Sequence, residues 1–178
     1  AKGADKIDLK KKKFITYRPR AGKHAIDLSY EIIASIFKQT QDTIWIGTWG
    51  KGLDIFNRRT NKVTKYREEY TGKYHINNNH VQVIYKDSRG RIWLGTRNGI
   101  NLYNEKDKSF IDLKSLFNDK YYPNFKANRI YSIREDFKNN IWVASYSGLH
   151  KINLDSMEVV SKYSNINDST SLSTNKIY

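Results

Sequence analysis

Three segments of this chain are near copies of one another: Ile44-Trp45-Ile46-Gly47-Thr48, Ile92-Trp93-Leu94-Gly95-Thr96 and Ile141-Trp142-Val143-Ala144-Ser145. Their tryptophans stand 48 and then 49 positions apart. A period of this length marks a repeat architecture, in which each unit hides its apolar surface against the next. Such assemblies usually bind rather than catalyse, so the period bears on function as well as on fold.

Aligned on the tryptophan, each copy carries Ile36, Ile84 or Ile133 nine residues earlier and Asp87 or Asp136 six earlier, with Gln39 breaking the pattern in the first copy. Three before the tryptophan stand Asp42, Gly90 and Asn139, residues that tolerate the left-handed conformation of a tight turn. A Gly-aliphatic pair follows each time: Gly52-Leu53, Gly99-Ile100 and Gly148-Leu149. Valine, isoleucine and aromatic residues fill the runs, and Gly, Asn and Asp punctuate them, which predicts four short strands per unit. In the second copy these fall near His80–Tyr85, Arg91–Thr96, Ile100–Asn104 and Ser109–Leu113, with a short helical candidate at Leu113–Asp119.

The triplet Ile-Trp-Ile offers no polar face, so its strand should be covered on both sides by neighbouring sheets. Gly47, Gly95 and Ala144 are small where the next sheet would approach most closely. Four strands in about 48 residues, arranged around an axis, make the blade of a β-propeller. The fold class is therefore all-β, a propeller fragment of about three and a half four-stranded blades. The expected division is 1–24 for two outer strands of a truncated blade, 25–74, 75–122 and 123–168 for whole blades, and 169–178 for the inner strand of the next. Such an arc cannot close a ring and reads as a stretch of a longer protein. The repeat core is assigned to Trp45, Trp93, Trp142, Gly47, Gly95, Ile36, Ile84 and Ile133.

The chain has no cysteine, hence neither a disulfide framework nor a thiol nucleophile. No apolar run approaches the length of a membrane span, so no membrane insertion by this segment is expected. The formal charge of +14 favours an acidic partner, although the basic residues are spread along the chain. The four histidines lack ligand spacing with carboxylates, so no metal is expected, and no cofactor motif appears. Direct contact with nucleic acid is not expected either, because the aromatics occupy core strand positions.

The segment from Asp87 to Asn104, with its Gly90-x-Ile92-Trp93-Leu94-Gly95-Thr96-x-x-Gly99-Ile100 core and Tyr103-Asn104 end, closely resembles the two-component regulator propeller repeat. Gln39 for Asp, Ala144-Ser145 for Gly-Thr, an extra residue at Lys51 and Asn in place of the final Asp are the departures. The resemblance implies the periplasmic sensor domain of a hybrid two-component system, relaying a signal across the membrane to a histidine kinase and phosphorelay. Kinase activity would belong to the parent protein and not to this segment. The implied ligand is an oligosaccharide, and the basic charge favours an acidic one. Independently of the resemblance, an arc that ends mid-blade leaves apolar sheet faces and strand edges uncovered, so the remaining blades of a parent chain or a second copy of the protein are expected partners.

Candidate ligand residues come from the loops of one propeller end. Trp49, Arg97 and Tyr146 each follow a Trp strand, and Lys51 and Asn98 adjoin them. Tyr74, His75 and His80 belong to a loop leading into an inner strand. Aromatic faces stack on sugar rings, and arginine grips carboxylate or sulfate in a bidentate fork. No residue is assigned a catalytic role. The alternatives to a sensor are a protein-interaction scaffold and, less favoured, a propeller polysaccharide lyase or hydrolase, for which the repeats supply no clustered carboxylates.

Overall fold

The computed structural model describes residues 4–8, 13–17, 26–115, 129–153, 155–156 and 158–163. A hairpin of β1 (Ala4–Asp8) and β2 (Lys13–Tyr17) precedes three four-stranded antiparallel sheets. Blade one is β3 (Ile33–Lys38), β4 (Thr43–Thr48), β5 (Leu53–Asn57) and β6 (Lys62–Tyr66). Blade two is β7 (Val81–Lys86), β8 (Ile92–Thr96), β9 (Gly99–Asn104) and β10 (Ser109–Asp112). Blade three is β11 (Ile130–Glu135), β12 (Asn140–Ser145), β13 (Gly148–Asn153) and β14 (Glu158–Tyr163). Each sheet is a simple meander, its strands paired in chain order, and the three stack as successive blades of a β-propeller arc. The helical candidate is a single 3-10 turn at Leu113–Ser115, and residues 116–119 lie outside the described ones. So does the inner strand expected at 169–178.

The two faces of a blade differ. On one, tryptophan leads: Trp45 lies opposite Phe37 and Ile55, and Trp93 opposite Tyr85 and Leu102. On the other lie aliphatic pairs, Ile36 with Ile46, Ile84 with Leu94, and Ile133 with Val143. The Trp face of each blade packs on the aliphatic face of the next, so Trp45 joins Ile84, Ile92 and Leu94 in one core, and Trp93 joins Ile133, Ile141 and Val143 in another. A side chain at Gly47 would put its Cβ 2.7 Å from Val81 Cγ1, and one at Gly95 would meet Ile130 Cγ2 at 2.7 Å. The small residues are therefore where the sheets come closest, as expected from their place beside the tryptophan.

Two core assignments need correction. Ile36 is 59% exposed, and Trp142 is only half-buried, whereas Trp45, Trp93 and Ile133 are fully buried. The reason is the neighbour, not the strand. Ile36 faces back toward the β1–β2 hairpin, which covers the outer part of blade one through Tyr17 and Phe56, with no inner strand beside it among the described residues. Trp142 faces forward, where no further sheet stands among the described residues; the Lys151 ammonium sits over its ring at 5.5 Å.

The turns before the Trp strands also differ from expectation in one copy. Gly90 and Asn139 adopt the left-handed conformation, with φ of 82° and 58°. Asp42 does not, because the Thr40 hydroxyl accepts the amides of Asp42 and Thr43 and closes the turn instead. Asp87 and Asp136 accept backbone amides within their turns, and each also accepts the indole N–H of its tryptophan at 2.8 Å. Gln39 does the same for Trp45 at 2.9 Å, so the apparent break in the pattern preserves the acceptor and loses only the charge.

Candidate functional site

The rim is built from one position repeated in each blade. The amide of the first residue past the Trp strand donates to the carbonyl of the residue just before the inner strand: Trp49 to Ile32, Arg97 to His80 and Tyr146 to Arg129. Blades are then stitched to one another, Gly50 and Gly52 donating to the Asn79 carbonyl and Arg129 to that of Arg97. Gly52 holds a φ of 71°, and a Cβ there would lie 2.2 Å from the Tyr66 carbonyl oxygen. Thr48, Thr96 and Ser145 fasten the turn beneath, each hydroxyl donating to the carbonyl of the glycine that follows. A rigid frame thus holds the three side chains at one end of the arc.

Trp49 and Tyr146 are 40% and 46% exposed, so they do not disappear between the blades. The Arg97 guanidinium carbon lies 4.8 Å from the centroid of the Trp49 ring, and the His80 ring meets the same indole edge-on at 6.1 Å. Stacking shields one face of the guanidinium and leaves its edge for a planar anion. Arg97 Nε is buried and has no hydrogen-bond partner, and neither has Oε1 of Gln82, the bulged residue on β7 between Val81 and Val83. Burial and the neighbouring charges of Arg97 and Arg129, partly offset by Glu68, lower the His80 pKa from its ordinary value.

The other nominated residues fall in different places. Lys51 is exposed at the tip of the loop between β4 and β5, its amide held by Thr48. Asn98 exchanges hydrogen bonds with Asn77 and accepts one from Lys114, so its side chain is committed. The His75 Nδ1 lies 3.0 Å from the carbonyls of both Glu68 and Tyr70. Tyr74 belongs to a 3-10 turn, Gly72–Tyr74, beside the outer strands, where its ring tilts against Tyr66 at 5.6 Å. It lines a lateral cleft with Tyr66 and Tyr103 and is no part of the Trp49–Arg97 stack.

Residue reasoning missed Arg129 as a rim member, although it shares one repeat position with Ile32 and His80, thirteen before the tryptophan. It also missed a buried polar position two residues after the turn glycine. Asp54 there is ion-paired with Arg67 at 2.8 Å and takes the Ser29 amide and hydroxyl, while Arg67 donates to the carbonyls of Leu53 and Tyr66. Asn101 occupies the place in blade two and bonds Asn77, and His150 occupies it in blade three near Ser145 and Ser147. Glu68 and Glu69 are exposed and bind the loop at Asn78 and Asn79, an arrangement that serves structure. Among the described residues no group of three or more His, Asp or Glu side chains could hold a metal ion. No helix there is long and apolar enough to cross a membrane.

Comparison with known proteins agrees with the geometry. The family described as two component regulator propeller matches residues 75–98 and 124–147, each spanning an inner strand and a Trp strand or their sequence equivalents. Histidine kinase P4 of Formosa agariphila is 27% identical over 68% of the chain. Among solved structures, the extracellular domain described for the hybrid two component system BT3049 of B. thetaiotaomicron superposes with a TM-score of 0.76 at 22% identity over 98% of the chain. That of BT4673 from the same organism does so with a TM-score of 0.55 at 28% identity over 79%. The chain spans 12% of the kinase and 20% and 17% of the two structures. Residues 75–98 and 124–147 thus match two-component regulator propeller repeats, and the chain's period and stacked four-stranded blades agree with that match.

Proposed function

We propose that this arc forms part of the extracellular, periplasm-facing sensing region of a hybrid two-component system and that its rim receives an acidic oligosaccharide. The observation that carries the ligand class is the Arg97 guanidinium, stacked on an exposed indole with a buried Nε that has no partner. Arg97 is only partly buried, and a carboxylate or sulfate meeting the open edge of its guanidinium would pair with it with charge assistance. Trp49 and Tyr146 supply faces for the adjoining sugar rings, and Arg129 and Lys51 add positive potential around them. The signal would pass through the blade-to-blade stitching at Asn79 and Arg97, since a ligand spanning two blades biases their packing. No catalytic step is assigned to the segment.

The test is calorimetry of the intact protein with sulfated, uronate-containing and neutral oligosaccharides. Arg97→Ala should weaken an acidic ligand by about 1.5–3 kcal/mol, the range for a charge-assisted hydrogen bond. The loss should shrink as salt rises, because exposed charges are screened beyond roughly 8–10 Å at physiological ionic strength. Neutral ligands should respond little. Unchanged binding of every acidic oligosaccharide by Arg97→Ala would refute the rim assignment.

A further inference from the structure

Blades one and two do not meet along their whole width. Outside the core that joins them, a cleft of about 540 Å³ opens between the β5–β6 side of one and the outer part of the other. Its size lies within the usual range for a small-molecule site, roughly 300–1,000 Å³. Tyr66, Tyr74 and Tyr103 provide aromatic surface, and Lys62, Lys73 and Lys108 surround it with three positive charges against the single carboxylate of Glu105. The next seam has no such lining at the same repeat positions: Leu113 replaces Tyr66 and Ile152 replaces Tyr103, both fully buried.

The polar groups of the cleft fall into two sets. Tyr66 gives its hydroxyl hydrogen to the Lys108 carbonyl, and Lys108 is paired with Glu105 at 2.5 Å; these groups are committed to the fold. Gln39, Thr40 and Asn57 are committed as well, to Trp45 and Glu105, to the amides of Asp42 and Thr43, and to those of Arg59 and Thr60, which leaves two lysines and three threonines. Among the described residues Lys62 Nζ has no hydrogen-bond or ion-pair partner, and Lys73 Nζ rests 5.1 Å from the centroid of the Tyr74 ring without an anion. The hydroxyls of Thr43, Thr60 and Thr64 also lack hydrogen-bond partners among the described residues. Tyr74 is 40% exposed, so a ring can lie on it.

From this arrangement we infer that the lateral cleft is a binding site for an anionic sugar ring, separate from the rim. The pyranose face would stack on Tyr74, its carboxylate would meet Lys62 and Lys73, and its hydroxyls would exchange hydrogen bonds with the threonines. The free hydroxyls decide for a sugar acid over an aromatic acid, since a ligand without hydroxyls would desolvate three threonines and pair none of them. Nothing in this site depends on Arg97, so it stands or falls apart from the rim.

The experiment is calorimetric titration of the intact chain with D-glucuronate, and with D-glucose as the uncharged counterpart. Glucuronate should bind saturably and at least tenfold more tightly than glucose. Tyr74→Ala should weaken it at least tenfold, and the exposed Lys73→Ala should weaken it severalfold while leaving the circular dichroism spectrum unchanged. Arg97→Ala should alter it by less than twofold. Absence of saturable binding, equal affinity for glucose, or no response to either cleft variant would overturn the inference. A loss on Arg97→Ala as large as that on Tyr74→Ala would move the glucuronate to the rim and overturn it too.

Discussion

The seams on either side of blade two are built in one register and filled with different chemistry. Between blades one and two, Trp45 meets Tyr103 and Phe110 edge-to-face at 4.8 and 5.8 Å, and Phe110 meets Tyr66 at 5.1 Å. Between blades two and three, the positions of Tyr66, Tyr103 and Phe110 are taken by Leu113, Ile152 and Val159, gathered around Trp93. Aromatic edges each add about 0.5–1.5 kcal/mol beyond area burial, but flat rings with polar ends fill space less completely than branched aliphatics. The aromatic seam keeps a cleft, whereas Leu113 and Ile152 are fully buried at the same positions of the aliphatic seam. In this repeat the tryptophan fixes where blades meet, and the outer strands of the following blade decide whether the meeting is sealed.

The largest effect should come from the sealed seam. Trp93→Ala should cost on the order of 3–5 kcal/mol in urea unfolding through cavity formation, and Trp142→Ala distinctly less, because its ring is half-covered. Equal losses would break the link between a tryptophan and its following blade. Arg67→Leu should approach the same size, about 3–5 kcal/mol, because it leaves the Asp54 carboxylate buried without a cation. Asn101→Leu in blade two removes no charge and should cost less. Gly95→Ala comes next at about 1–3 kcal/mol, since its methyl would lie 2.7 Å from Ile130 Cγ2 of blade three and push the seam apart. A wild-type denaturation midpoint in Gly95→Ala would mean that the blades separate more easily than their packing suggests.

A smaller effect distinguishes the tryptophan anchors by pH. Burial tends to raise the Asp136 pKa, but the Trp142 indole, the Asn140 amide and side chain and the Lys138 amide outweigh it and hold the carboxyl well below the usual carboxylate range. A depressed folded pKa gives stability that is present above the unfolded value and lost as pH falls below it. Acid titration below about pH 4 should therefore loosen blade three by a route that Asp136→Asn abolishes. Blade one holds Trp45 through the uncharged Gln39, and Asp136→Gln should give blade three the same indifference to acid. If the acid response of Trp142 fluorescence survives both substitutions, the anchor carboxylate is not its source.

Much of this was legible in the residues because it depends on local register. The four strands, the Trp strand covered on both faces, and the close approach at Gly47 and Gly95 all follow from alternation and side-chain size. Exposure of Ile36 and Trp142 was not legible, because burial at a blade face is a property of the adjoining sheet. Gln39 looked like a loss of pattern since charge was compared rather than the acceptor it shares with Asp87. At the rim, a shared position brought out Trp49, Arg97 and Tyr146, but their differing surroundings could not be read from it. The Arg97–Trp49 stack needs two blades in place, and Tyr74 swings to the lateral cleft because the Gly72–Tyr74 turn packs beside β10.

The buried residue two positions past each turn glycine has a further consequence for how near-identical units find their places. Repeat proteins are prone to misassembly, in which a segment docks one unit out of step. Here the three sockets are chemically distinct. Asp54 takes Ser29 and Arg67, Asn101 takes the amide of Asn77, and His150 sits among serine hydroxyls. The strap carrying Asn77, laid over blade one, would displace Ser29 from the Asp54 carboxylate. The strap carrying Ser29, laid over blade two, would leave the Asn101 amide short of partners. Each misplacement exposes a buried polar group to a penalty that correct docking avoids. The three residues work as address labels, so that units sharing one core pattern are still assembled in chain order.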